Sequence, residues 1–137
     1  MHAKNNGWKK IRLLAATALM AMNIASAQPM PVDGQKFPDV VTVKVQARGD
    51  NRFDFDATIS SLYDSPQRYA DAFRVMSADG VVYGERTLFH DHTGEQPFTR
   101  DLYGVYIKAG VRSLIVQARD QKYGYGGKTV TVLLPGR

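Results

Sequence analysis

Phe53, Phe55, Ala57 and Ile59 alternate with Asp54, Asp56, Thr58 and Ser60, and no other feature restricts the fold of this chain as strongly. Side chains two apart share a face only in an extended strand, where successive Cβ atoms point to opposite sides. A helix would scatter the same four apolar residues around its circumference. The spacing predicts a half-buried strand, preceded by the turn residues Arg48-Gly49-Asp50-Asn51 and ended before Ser65-Pro66.

The period-two pattern recurs along the chain. Val41, Val43, Val45 and Ala47 alternate with Thr42, Lys44 and Gln46, which predicts a strand burying its valines. AFRVMS and VVYGERTLF flank Asp79-Gly80, a dipeptide suited to the positive φ angles of a tight hairpin. There follow VYI, a turn at Lys108-Ala109-Gly110, the strand VRSLIVQARD with Leu114, Val116 and Ala118 on one face, a Gly/Tyr loop, and KTVTVLL. Short strands at regular spacing with turn signals between them predict an all-β fold, a single β-sandwich of about seven strands over residues 39–135.

The N-terminus has a different character. Lys4, Lys9, Lys10 and Arg12 precede an apolar run from Leu13 to Met22, and Ala25-Ser26-Ala27 supplies small residues at a cleavage site. This is the pattern of a secretory signal peptide over residues 1–27, cut after Ala27. The apolar run ends at Asn23 and is half the roughly 20 residues a spanning helix needs, so no membrane span is expected. With no cysteine in the chain, no lipid anchor is expected either. Residues 28–38, with Pro29, Pro31 and Pro38, read as an extended leader. The implied location is periplasmic or secreted.

Cleavage alters the charge argument. Four of the 18 Lys and Arg residues and none of the 13 Asp and Glu lie in residues 1–27, leaving 14 basic against 13 acidic side chains. A balance of +1 gives no support to a nucleic-acid partner.

The final third, GVYIKAGVRSLIVQARDQKYGYGGKTVTVLLP, resembles the last strands of bacterial immunoglobulin-like and fibronectin type III-like domains. In these a short apolar strand and a Gly turn precede V-x-A-x-D, a Gly-containing hairpin and T-V-T-V. The HDH and EQPFTR segments are similar to those of small exported bacterial proteins of unassigned function. The resemblance implies an immunoglobulin-like sandwich and no particular activity. The chain lacks the paired cysteines and core tryptophan of antibody domains, which leaves strand order open.

FHDHTGEQPFTR, Phe89 to Arg100, concentrates the residue types of chemistry. On an extended segment His90 and His92 would point to one side and chelate zinc or copper, with Glu95 or Asp91 as a third ligand. The alternative is two loop histidines bonded to nearby backbone. Pro97 cannot donate a ladder hydrogen bond, which places the next strand at a sheet edge or at its own start. Phe98, Arg100 and Leu102 share a parity, so Arg100 is either displaced by a bulge or held partly buried by Glu95, Asp91 or Asp101. In the second case Asp91, Glu95, Arg100 and Asp101 form a structural cluster.

KYGYGGKT imitates a phosphate loop but has Lys122 where the first glycine must stand, and it leads into a strand rather than a helix. Its glycines read as a hairpin, and Tyr123 and Tyr125 as rigid contact residues on an adaptable backbone, the partner-binding candidates. Asp54 and Asp56 read as an outer face kept wet; a two-carboxylate hydrolase is the catalytic reading of the same pair. No G-x-S-x-G surrounds a serine and no thiol exists, so no enzyme is expected. The function these features point to is an exported, soluble, non-catalytic binding or accessory module for a protein or glycan partner. The alternative is a periplasmic metal-binding protein using the HDH segment.

Overall fold

A computed structural model describes residues 34–137. The signal peptide, its cleavage after Ala27 and residues 28–33 of the leader lie outside the described residues.

Seven strands follow in order: β1 (Asp39–Gly49), β2 (Arg52–Ser60), β3 (Ala70–Met76), β4 (Val82–Thr87), β5 (Phe98–Tyr106), β6 (Ser113–Asp120) and β7 (Gly124–Leu133). They form two antiparallel sheets, one ordered β1-β2-β5 and the other β4-β3-β6-β7. The all-β sandwich expected from the alternation is the fold observed. The arrangement settles the strand order: β4 joins the sheet of β3, β6 and β7, unlike the four-plus-three order of antibody constant domains.

The core lies where the two inner faces meet. Phe55, Ala57 and Ile59 of β2 and Phe98 of β5 oppose Phe73 and Val75 of β3 and Leu114, Val116 and Ala118 of β6, all buried. The β1–β2 turn places Asp50 and Asn51 at φ of 52° and 59°, a left-handed conformation these two residue types tolerate better than most. At the edge between the sheets, an added Cβ on Gly84 of β4 would stand 3.2 Å from Leu102 and 3.3 Å from Val105 of β5. Beside it Arg86 reaches across to donate to the Asp101 carbonyl and carboxylate, both at 2.7 Å.

Four expectations are corrected. Val41 is 53% exposed because β1 carries an irregularity between Val40 and Thr42, which turns Val40 into the core and resets the parity. Residues 98–106 form one strand through VY rather than a corner and a separate short strand. β7 begins at Gly124, so Tyr125 stands on a strand opposite Arg119 and not in a loop. Asp54 is 5% exposed although it faces outward. Its carboxylate accepts the Gly104 N–H at 2.8 Å, at an irregularity in β5 where the ladder leaves that donor free, and it also pairs with Arg48. Burial alone would raise its pKa, but the Gly104 N–H and Arg48 together hold it below the ordinary value. Asp56 keeps the role expected of it on the outer face, where it accepts the Tyr103 hydroxyl at 3.0 Å.

Candidate functional site

Antiparallel pairing brings the start of β1, the β2–β3 and β4–β5 connections and the β6–β7 hairpin to one end of the sandwich. Of the site residues singled out in the sequence, His90, Asp91, His92, Glu95 and Tyr123 lie in these segments and Arg100 and Tyr125 within three residues of them, whereas Asp101, Asp54 and Asp56 lie farther along their strands.

Asp64 organises the centre of this end. It is buried, and its carboxylate accepts the Ala70 N–H at 3.0 Å and the His92 N–H at 3.1 Å, while its carbonyl accepts the Thr93 hydroxyl at 3.0 Å. Gln96 completes the tie: its carbonyl oxygen accepts the Ser61 N–H at 2.8 Å, and its amide donates to the Ser61 hydroxyl at 3.2 Å and the His92 carbonyl at 3.3 Å. Buried backbone donors in a long connection need such partners, and these two side chains supply them.

The histidines are separated by burial. His92 is 3% exposed, with its ring stacked on Phe98 at 3.6 Å between centroids and 7° between planes. Its Nδ1 is buried and 3.5 Å from Asp64 Oδ2, beyond a normal hydrogen bond. Burial pushes its pKa below the ordinary value and Arg100 adds to the shift, outweighing the opposite pull of Asp64. His90 is exposed, its Nδ1 2.8 Å from the Asp91 carbonyl and its ring 5.1 Å from that of His92. Among the described residues no three histidine or carboxylate side chains are grouped as metal ligands. The segment is a loop here, so the positions of the two rings are set by the loop and not by the alternation of a strand.

The four-residue structural cluster divides into three arrangements. Arg100 donates both terminal nitrogens to Glu95, each at 3.0 Å, and lies on the inward-facing row between Phe98 and Leu102. Asp101 turns to Arg86, and Asp91 accepts the Thr93 N–H at 3.2 Å. Hydrogen bonds from Arg100 lower the Glu95 pKa, and those from Thr93 lower that of Asp91.

Tyr123 and Tyr125 differ in the same way. Tyr125 is held on the outer face by Glu85, to which its hydroxyl donates, and by Arg74, whose guanidinium lies 3.7 Å from its ring centroid. Tyr123 is 44% exposed at the hairpin tip. Three cations from three segments surround its ring: Lys36 at 4.7 Å, Arg68 at 4.8 Å and Lys122 at 5.3 Å from the centroid. Phe37 meets it edge-on at 6.4 Å.

Asp120, the last residue of V-x-A-x-D, builds this arrangement. It is buried and accepts Arg68 Nε at 3.0 Å, the Lys122 N–H at 2.9 Å and the Tyr123 N–H at 2.8 Å. Burial would raise its pKa, but Tyr63, Arg68 and the two N–H groups lower it overall. Arg68 lies between the rings of Tyr63, at 4.1 Å, and Tyr123. The Tyr63 hydroxyl is buried without a hydrogen-bond partner of normal geometry, and burial beside Asp120 pushes its pKa up.

The glycines of KYGYGGKT serve the incoming chain. An added Cβ on Gly126 would come within 2.4 Å of the Phe37 ring, and one on Gly127 within 2.1 Å of the Pro38 carbonyl. Lys128 N–H donates to Asp39 at 2.8 Å, so the start of the domain is laid directly against this hairpin.

Sequence reasoning did not single out Asp64, Arg68, Asp120 or Lys36. Asp64 and Arg68 lie within the β2–β3 connection, each beside a tyrosine, and Asp120 ends β6; nothing local marked Lys36.

Over 94 residues, 69% of its length, the chain is 33% identical to a protein of Halomicrobium mukohataei named "Putative lipoprotein". The match covers 46% of that protein, so the chain spans less than half the length of the relative. No protein-family model matches the chain. No solved structure matches it.

Proposed function

We propose that the chain is an exported, non-catalytic β-sandwich that acts as a binding or accessory module for a protein or glycan partner, engaged at the end bearing Tyr123. The signal-peptide pattern of residues 1–27 and the name of the Halomicrobium relative support export. No helix among the described residues is long and apolar enough to cross a membrane. The three-plus-four sandwich supports the fibronectin type III-like resemblance of residues 104–135.

The observation that carries the reading is the construction of the Tyr123 tip. A buried carboxylate, two backbone N–H bonds and a stacked arginine hold an exposed aromatic ring in place. A tyrosine fixed in this way offers contact area at little entropic cost. The His90 and His92 segment lacks comparable support for metal binding, because Glu95 is taken by Arg100 and His92 is buried against Phe98.

The test is retention of cell-envelope proteins and polysaccharides by the immobilised, exported protein. Tyr123→Ala is expected to abolish retention of a specific component, with the unfolding midpoint held. An identical retained set for the variant and the parent rejects the reading.

A further inference from the structure

We infer that the surface around Tyr123 recognises an acidic glycan, a polysaccharide bearing carboxylate or sulfate groups; this rests on the binding-module reading above. Lys36, Arg68 and Lys122 reach the same ring from the incoming chain, the β2–β3 connection and the β6–β7 hairpin. Only Arg68 has a carboxylate partner, Asp120; no ion pair joins Lys36 or Lys122 to an acid among the described residues. Two ammonium groups with no acidic partner among the described residues therefore flank one exposed aromatic ring, while the other basic and acidic side chains of residues 28–137 number 12 and 13.

The two kinds of cation have different tasks. Arg68 is fixed by Asp120, by donation to the Lys36 carbonyl and by the ring of Tyr63. It keeps the Tyr123 ring oriented and stays where it is. Lysine carries a compact charge on a flexible four-carbon stem. Lys36 and Lys122 rest near the π face of Tyr123 when no anion is present, and an arriving carboxylate or sulfate draws them off. The face they leave is then open to the C–H surface of a sugar ring. One repeat of an acidic glycan supplies both chemistries, an anion for the lysines and a flat ring for the tyrosine. An acidic peptide supplies the first alone.

Fluorescence anisotropy of the full exported protein tests this with labelled polygalacturonate, dextran sulfate, neutral dextran and poly-glutamate. Both acidic glycans are expected to bind at least tenfold more tightly than neutral dextran, and to weaken steeply as salt is raised. Replacing both Lys36 and Lys122 with alanine should weaken them about tenfold or more without moving the unfolding midpoint. Replacing both with arginine should largely keep binding. Equal binding of neutral dextran, or no effect of the double alanine variant, overturns the role of charge while a Tyr123-dependent partner still supports the binding module. Tighter binding of poly-glutamate than of either glycan assigns the surface to an acidic protein instead. If no polymer binds but Tyr123→Ala still removes an envelope component, the glycan inference fails and the module reading stands; if Tyr123→Ala also removes nothing, both fail.

Discussion

The His92 ring lies face to face on Phe98, with centroids 3.6 Å apart, and its Nδ1 is shut away from water without a hydrogen bond. One of the two histidines of the HDH segment is thus an uncharged piece of core in the folded protein. Its pKa is depressed by burial and by Arg100, so the unfolded chain binds a proton that the folded chain refuses. Stability from this group is complete above its unfolded pKa of about 6.5 and is lost as pH falls from there through the depressed folded value. Urea midpoints measured from pH 8 to pH 5 should fall for the parent protein. His92→Phe should flatten that slope. Asp91 and Glu95 also have lowered pKa values, but they act only below about pH 5, outside this window.

Zinc is expected to leave the protein unchanged. His92 has almost no exposed surface and its Nδ1 is buried, and Glu95 would have to leave Arg100. The melting temperature of metal-free protein should not rise when Zn(II) or Cu(II) is added. A rise that His90→Ala abolishes would contradict this account.

Asp120 is the residue on which the Tyr123 tip depends. Asp120→Ala leaves Arg68 Nε and two hairpin N–H groups without their acceptor, and should cost about 2–3 kcal/mol in chemical denaturation. Asp120→Asn keeps an acceptor and should cost less.

Asp54 and Asp56 should respond unequally. Asp54→Ala removes the acceptor for Gly104 N–H under cover of Arg48, and should lower the unfolding midpoint clearly. Asp56→Ala loses a bond to the exposed Tyr103 hydroxyl and should do little. Asp54→Asn should fall between them. Equal effects would mean that Asp54 does not satisfy the β5 irregularity.

Gly126 permits contact rather than flexibility. Gly126→Ala drives a methyl group into the Phe37 ring and should cost about 1–3 kcal/mol. Most of this loss should be relieved when Phe37→Ala is added, which a double-mutant cycle measures. Gly127→Ala meets the Pro38 backbone instead and has a positive φ of 77°, so no single side-chain removal should rescue it.

Strand existence was legible in the residues because it rests on local rules. Alternation through Phe53–Ile59 can bury a face only as a strand, and Asp79-Gly80 or Gly49-Asp50-Asn51 can only turn the chain. The same rules failed at Val41 and Asp54, where an irregularity in the ladder reset parity or created a donor that local sequence does not display. The expectation that the KYGYGGKT glycines serve a hairpin held for Gly124, at a φ of 84°. Gly126 has a reason lying 89 residues away, at Phe37.

The sequence by itself determined the class of fold, the places where the chain turns, the signal-peptide pattern and the absence of a thiol, because each depends on residue type and spacing along the chain. Only the tertiary structure decided which polar groups meet. Asp64 meets His92 across 28 positions, Asp54 meets Gly104 across 50, and Arg68 meets Asp120 across 52. Burial and a specific partner set the charge and task of an ionisable group, and in a sandwich both are supplied by strands remote in sequence. That is why FHDHTGEQPFTR, rich in the residues of catalysis, is largely a structural corner, while Tyr123 acquires its cations from three segments no local pattern connects.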